Sequence, residues 1–300
     1  MIKRLISILI ALVAAVLGYL AAFSGGVDMA NSFGSLRGQF DPSSLLLLLL
    51  GVLLLAVSAL TVVVSSAGVI MLGAVHLLFS IALIAFPPSG MFEDSVLPAY
   101  EIVQAVRGVS RVAADGLYFS AGTGFGLLAG VVLLGIGLVA RSRRGVPSLA
   151  ARLITGLIGP VVGVAGVVLV LIGGGLAYTR IMVVFKPVPT TAAVALVAGL
   201  VLVGIVVVLS RASSAGVIVL GGIVTILGVL FLFVGMQLVM PVQALSQDLG
   251  AGIQFAGTTG QVLIVGVLLL AAGFGARIRA RRAVVLEVPD VVGVPTAASV

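Results

Sequence analysis

Eight long apolar runs, separated by short segments that carry almost all of the charge, make up most of this 300-residue chain. Only 8% of the residues are charged, whereas a soluble domain carries about a quarter. The runs are continuously apolar and close to the roughly 20 residues that a helix needs to cross a bilayer, which excludes alternating barrel strands. We therefore predict an all-α integral membrane protein with eight transmembrane helices. The predicted spans are Leu5–Phe23, Ser44–Val64, Ala67–Phe86, Leu117–Ala140, Leu149–Ala177, Ala192–Leu209, Ala215–Leu238 and Gly260–Ala276.

A repeated hexapeptide divides these runs into two sets of four. The segment Ser65–Ile70 (SSAGVI) returns 148 positions later as Ser213–Ile218, and Ala121–Thr123 matches Ala256–Thr258 at an offset of 135. Because four spans per set is an even number, both sets insert with the same orientation, related by an axis along the membrane normal. We predict two tandem parallel four-helix repeats and a short cytoplasmic tail, covering residues 1–145, 146–282 and 283–300.

The distribution of Lys and Arg predicts the orientation. Eleven of the 16 basic residues fall on the same side of the spans as the N-terminus, and basic loops favour the cytoplasm. We expect a multi-pass protein of the plasma membrane with both termini cytoplasmic. Two basic clusters at equivalent ends of the repeats are interpreted as topogenic charge or as contacts to lipid headgroups. They consist of Arg141, Arg143, Arg144, Arg277, Arg279, Arg281 and Arg282.

Glycines spaced four or five residues apart predict helix-packing faces. Small residues on one face of a membrane helix let two backbones approach closely. The segment Gly122–Gly126 (GTGFG) superficially suggests a nucleotide-binding loop, but it opens a membrane span and follows no strand. The predicted packing positions are Gly122, Gly126 and Gly130, Gly159 and Gly163, Gly68 and Gly73, and Gly216 and Gly221.

His76 is the only histidine and lies near the middle of the third predicted span. A titratable group at membrane depth is a candidate for function by default. However, the equivalent position of the second repeat is Val224, and a relay or metal site needs several such groups. We expect a structural role for His76 that tolerates Ala or Gln, with a functional role as the alternative.

Reactive chemistry has little support in the sequence. The chain has no cysteine, which excludes thiolate catalysis, disulfides and cysteine metal sites. No cluster of His, Asp or Glu has the spacing of a metal or nucleophilic site. We therefore predict no catalytic residue, no metal and no cofactor. The net charge of +7 lies between apolar spans and not on one basic and aromatic surface, so nucleic acid is not an expected partner.

Two segments on the outer side of the bundle show helical spacing of apolar residues. The first begins at Pro98 and the second follows Pro241. They are interpreted either as amphipathic helices that cap the bundle or as a lid or partner-docking surface. The apolar positions are Ile102, Val106, Val109 and Ala113 in the first segment, and Val242, Leu245, Leu249 and Ile253 in the second.

The tail contains Val288–Gly293 (VPDVVG), which resembles the opening of the PASTA module of cell-wall-sensing kinases and penicillin-binding proteins. The resemblance covers six residues, and we assign no function from it. A short extended tail that docks on a partner is the alternative.

Two hypotheses for function follow. The first is a non-enzymatic accessory or scaffolding subunit of a cell-envelope membrane complex, with membrane lipid and other membrane subunits or a second copy as partners. The second is a transporter or channel for a neutral or lipid-like solute, with its path between the repeats. A dry, tightly packed seam between the repeats favours the scaffold, and polar, water-exposed positions there favour transport.

Overall fold

The computed structural model describes residues 2–34, 41–85, 98–142, 149–183 and 187–287. Throughout these ranges the regular secondary structure is helical. The α-helices are α1 (Ile2–Gly34), α2 (Pro42–Leu60), α3 (Ser66–Ala85), α4 (Pro98–Val109), α5 (Arg111–Gly122), α6 (Phe125–Val139), α7 (Leu149–Tyr178), α8 (Thr190–Leu209), α9 (Ala215–Leu245), α10 (Gln247–Gly252) and α11 (Gln261–Glu287). A π-helical turn, Ile253–Gly257, follows α10, and the tail with its VPDVVG segment lies outside the described residues.

Seven of the described helices are long and apolar enough to cross a membrane. This agrees with the prediction of an all-helical, multi-pass membrane protein. The prediction that the fourth span is one continuous helix is wrong. In place of a continuous Leu117–Ala140, the chain forms α5 and α6, which meet at an angle of 76°. The bent pair makes an eighth span only if its two arms are taken together.

Two spans are longer than the sequence predicted. Helix α1 continues past Phe23 to Gly34, and its 33 residues give a length of about 50 Å at the usual helical rise. This exceeds the roughly 30 Å of hydrocarbon, so α1 tilts or projects beyond the bilayer. Asp28, expected in a loop, is half-buried in this helix. The second is helix α9, which continues past Leu238 to Leu245. Helix α7 (Leu149–Tyr178) matches its predicted span within one residue and contains Pro160.

The two outer segments differ from each other. Helix α4 begins at Pro98 as predicted, but its buried side is marked by Val103, while Ile102 and Val109 are exposed. The prediction that a separate helix follows Pro241 is wrong, because Pro241 lies inside α9. Proline is tolerated within membrane helices where neighbouring groups satisfy the freed backbone.

Glycines bring the first two helices of each chain half together, where the halves are residues 2–142 and 149–287. Gly25 of α1 lies against the backbone of Leu48 in α2, and Gly173 of α7 lies in the same way against Leu196 in α8. A Cβ atom at either glycine would overlap the facing backbone. The two pairs therefore pack at a closeness that only glycine permits.

The third and last helices of each half pack in a comparable way. Gly73 of α3 lies against the backbone of Leu134 in α6, and Gly221 of α9 lies against that of Leu270 in α11. Between the halves, α6 packs on α8 and α11, and α11 packs on α2. Helices α6 and α11 therefore form the centre of the bundle.

Candidate functional site at the two broken-helix turns

Two buried turns interrupt the helices at the end of the bundle opposite the N-terminus. In the first half, Thr123 and Gly124 separate α5 from α6, and Gly124 has a φ angle of 74°. In the second half, residues 258–260 precede α11, and Gly260 has a φ angle of 77°. Only glycine adopts this left-handed conformation at low cost, so each glycine fixes the place where its helix breaks.

The short helices that lead into the turns begin with the same cap. The Ser110 side chain accepts a hydrogen bond from the Ala113 amide at 3.1 Å, and Ser246 accepts one from the Leu249 amide at 3.3 Å. Both serines have extended backbones, with φ near −150°. A serine in this position satisfies an otherwise free amide of the first helical turn, which sets where α5 and α10 start.

Threonines satisfy the backbone just before each break. Thr123 Oγ1 donates to the carbonyl oxygen of Phe119 at 2.5 Å, and Thr259 Oγ1 donates to that of Phe255 at 2.7 Å. These hydroxyls bond back to their own helix, the usual arrangement for threonine in an apolar environment. They are therefore already used by the fold.

Each turn rests on the other half of the chain. The carbonyl group of Thr259 lies against Gly26 of α1, and that of Thr123 lies against Gly174 of α7. A Cβ atom at Gly26 or Gly174 would overlap this backbone. The helix breaks are therefore completed by contacts between the halves, and not within one half.

The two left-handed glycines also face the opposite half. Gly124 lies against the side chain of Leu196 in α8, and Gly260 lies against that of Leu48 in α2. Leu48 and Leu196 are also the residues approached by the glycines of α1 and α7. The two turns, α1, α2, α7 and α8 therefore meet in one packed layer.

Three aromatic rings close this layer. The ring centroids of Phe119 and Tyr178 are 5.2 Å apart, those of Tyr178 and Phe255 are 4.3 Å apart, and those of Phe119 and Phe255 are 6.4 Å apart. Gly122 packs on the Tyr178 ring. Aromatic pairs at these separations contribute beyond their buried area, so the cluster joins α5, α7 and the π-helical turn.

Five buried polar residues occupy the turns and their flanks. They are Ser120, Thr123, Thr258, Thr259 and Gln261. Thr258 Oγ1 bonds the carbonyl oxygen of Gln254, as the other two threonines bond their own helices. Gln261 is only 2% exposed, and its Nε2 has no hydrogen-bond partner among the described residues. This amide is the one side chain of the five with an unused buried donor.

The buried faces of α6 and α11 carry many apolar residues. Leu128, Val132 and Ile136 of α6 are fully buried, and Val265 and Leu268 of α11 are each 1% exposed. These residues belong to a single buried cluster that includes core residues of both halves. These apolar positions offer no polar partners that would hold a buried water.

His76 lies away from the turns. Its ring meets the edge of the Tyr19 ring, with centroids 4.6 Å apart. The Tyr19 hydroxyl is buried and has no hydrogen-bond partner within the described ranges. Those ranges also hold no group of three or more His, Cys, Asp or Glu side chains placed to bind a metal ion. Among the described residues, His76 therefore makes an aromatic contact and belongs to no group of this kind.

The glycines singled out from the sequence all lie close to another residue, but not along one stripe. Gly122 belongs to α5, whereas Gly126 and Gly130 belong to α6, so the expected row along the fourth span is not formed. The nearest neighbours are Ser7 for Gly68, Leu134 for Gly73, Tyr178 for Gly122, Ser80 for Gly126, Leu77 for Gly130, Gly216 for Gly159, Leu220 for Gly163, Thr155 for Gly216 and Leu270 for Gly221.

The arginines singled out from the sequence divide into bound and exposed side chains. Arg141 Nε donates to Ser66 Oγ at 3.2 Å, and Arg279 Nη1 donates to the Val62 carbonyl oxygen at 3.0 Å. Arg277 is exposed. Arg143 and Arg144 lie outside the described residues. Arg281 and Arg282 lie in α11, but their side chains are not among those described.

The contacts at Gly26 and Gly174 were not predicted, although the sequence carried a signal. The pairs Gly25-Gly26 and Gly173-Gly174 are 148 positions apart, the same spacing as the repeated hexapeptide. Gln261 had no comparable signal, because its equivalent in the first half is not polar. Searches against protein-family models, curated proteins and solved structures each found no match to this chain.

Proposed function

We propose that the chain consists of two tandem parallel repeats of one four-helix unit. The support comes from matched contacts. Positions from Gly25 to Gly73 correspond to positions 148 residues later, as Gly25 does to Gly173. Positions from Ser110 onwards correspond to positions 136 residues later, as Thr123 does to Thr259. The second offset differs by one from the sequence alignment, because the turns align on their left-handed glycines.

The reciprocal contacts support a pseudo-twofold relation between the halves. The first half's Gly26 meets the second half's turn, and the second half's Gly174 meets the first half's turn. This is the pattern of an isologous interface, in which residue i contacts j and j contacts i. With an even number of spans per unit, both termini lie on one side. We place that side in the cytoplasm and the protein in the plasma membrane, on the basis of its basic residues.

We propose further that the protein works as a non-enzymatic accessory or scaffolding subunit of a membrane complex. The observation that carries this proposal is the apolar cluster of buried residues that continues through both halves. The hydroxyls of Thr123, Thr225 and Thr259 bond their own helices and are therefore not free to line a polar path. The exposed apolar surfaces of the outer helices, such as those around Leu53 and Leu157, then contact lipid or another membrane subunit.

Extraction in native lipid followed by mass spectrometry tests this proposal. A protein partner that co-purifies in a fixed stoichiometry supports the scaffold. A control purification with an unrelated multi-pass protein identifies contaminants. A chain that purifies alone with a specific small solute argues against the scaffold.

The alternative is a transporter or channel for a neutral or lipid-like solute. It is favoured by the two helix breaks and by the unused Nε2 donor of Gln261 beside one of them, since many transporters bind solutes at discontinuous helices. Uptake into proteoliposomes of the co-purifying solute tests it. Gln261→Leu should abolish uptake, whereas Gln254→Leu, outside the buried set, should not.

A further inference from the structure

The turn between α2 and α3, residues 61–66, receives side chains from three other helices. Ser7 of α1 donates to the Ser65 carbonyl oxygen at 3.1 Å. From the end of α6, Arg141 Nε donates to Ser66 Oγ at 3.2 Å, and from α11, Arg279 Nη1 donates to the Val62 carbonyl oxygen at 3.0 Å. Two guanidinium groups therefore converge on one six-residue turn.

Helix α11 reaches this turn from the other half of the chain. Gly275, one helical turn before Arg279, lies against the side chain of Val62, where a Cβ atom would collide. The absence of that atom lets α11 approach closely enough for Arg279 to bond the Val62 carbonyl group. The two arginines are thus held in place by the fold, one half-buried and one exposed.

The two charges have no acidic counterpart among the described side chains. Neither arginine forms an ion pair with a carboxylate there, and each uses one nitrogen for the bond to the turn. Arg141 also bonds the first residue of α3, where the helix dipole adds positive potential. A guanidinium group has five donors, so both arginines keep donors for an anion.

We propose that Arg141 and Arg279 together bind one phosphate group at the turn of residues 61–66, from an anionic phospholipid headgroup or from free phosphate. Arginine suits this chemistry because its planar fork makes paired, charge-assisted hydrogen bonds to phosphate oxygens. The exposed side of Arg141 provides access. The site depends on the chain lying in a membrane, and not on the choice between scaffold and transporter.

Native mass spectrometry and thermal unfolding in phosphatidylcholine nanodiscs test the site, with phosphatidylglycerol and inorganic phosphate as separate probes. One retained phosphatidylglycerol per chain indicates a lipid headgroup. Equal stabilisation by inorganic phosphate alone indicates a free phosphate. In both cases we expect the double variant Arg141→Gln/Arg279→Gln to bind the probe at least about tenfold more weakly, because the charge-assisted contacts are lost.

The matched control is Arg211→Gln/Arg277→Gln, which removes the same charge from two exposed arginines at the same end of the bundle. This control should bind within about twofold of the unmodified chain, because it keeps Arg141 and Arg279, which make the charge-assisted contacts. If the first double variant does not fold, Arg141→Gln alone replaces it, because its side chain is exposed. Equal loss in both pairs, unchanged binding in Arg141→Gln, or no response to either probe would overturn the proposal.

Discussion

The carbonyl group of Thr259 lies directly against Gly26, so the turn before the last helix is seated on the first helix of the chain. A Cβ atom at Gly26 would overlap the backbone of Thr259, and backbone cannot move aside as the end of a flexible side chain can. The contact therefore admits glycine alone, and it joins the two halves at the layer where both helices are broken.

Replacing Gly26 with Ala should lower the free energy of unfolding by about 1–3 kcal/mol, the usual cost of overpacking a tight interior. Thermal unfolding in detergent measures this. The control is Gly222→Ala, where the added atom meets nothing within 4 Å and alanine is the better helix former. The control should be unchanged or slightly more stable. Equal unfolding temperatures for Gly26→Ala and the unmodified chain would show that the two helices do not meet as described.

Replacing Gln261 with Leu should leave stability unchanged or raise it. The Nε2 atom of Gln261 is buried without a partner in the described part of the chain, and an unsatisfied buried donor costs about 1–3 kcal/mol. The residue in the equivalent place of the first half, Phe125, is apolar and fully buried. Thermal unfolding in lipid nanodiscs checks this, and a strong destabilisation would mean that the amide has a partner, such as a bound solute.

Replacing Asp41 with Asn should remove part of the dependence of stability on pH. Hydrogen bonds from Ser44 and Ser43 hold the pKa of the Asp41 carboxyl below its ordinary value of 3.8. The carboxylate therefore stabilises the fold above the pKa of the unfolded chain, and this contribution is lost as the pH falls through the lower, folded pKa. The measurement is the unfolding temperature of both chains between about pH 6 and about pH 2.

The unmodified chain should be the more stable of the two at the upper end of this range, and the difference should shrink towards the lower end. Asparagine is a suitable replacement because it caps a helix nearly as well as aspartate, so the cap of α2 is kept and only the charge is lost. A difference that stays constant with pH would mean that the Asp41 charge does not contribute.

Replacing His76 with Gln should leave assembly and unfolding nearly unchanged. The ring makes an edge contact with Tyr19, and the corresponding place in the second half is filled by the apolar, fully buried Val224. Size-exclusion profiles and unfolding temperatures check this, with His76→Val as a companion that copies the second half. Loss of folding in Gln but not in Val would indicate a need for an apolar group, and loss in both would indicate a specific role for the imidazole.

The helix content follows from the sequence because hydropathy reports directly on what the membrane requires. Runs such as Ala192–Leu209 appear almost unchanged as α8 (Thr190–Leu209). The break between α5 and α6 was not predictable in the same way, since the run from Leu117 to Ala140 is apolar on both sides of Gly124. Hydropathy does not record backbone conformation, and a left-handed glycine looks the same in sequence as a packing glycine.

The contacts of the candidate site lie further still from the sequence. The limits of the second and third predicted spans left Ser65 and Ser66 between them, where the turn from α2 to α3 lies. Nothing local to these serines indicated that Arg279 would reach Val62 from the other half. Gly26 and Thr259 likewise are brought together only by the arrangement of all the helices. Local spacing predicts which residue types can pack closely, whereas the choice of partner depends on tertiary structure.

Each turn is contacted by the other half of the chain, so the two turns gain their contacts at different stages of synthesis. Thr123 leaves the ribosome before its partner Gly174 and before Leu196, so the break between α5 and α6 stays unsupported until the second half has entered the membrane. The turn before α11 emerges last, when Gly26 and Leu48 are already in place to receive it. A chain stopped between the halves would leave Gly26 and Leu48 without the turn that covers them in the complete fold.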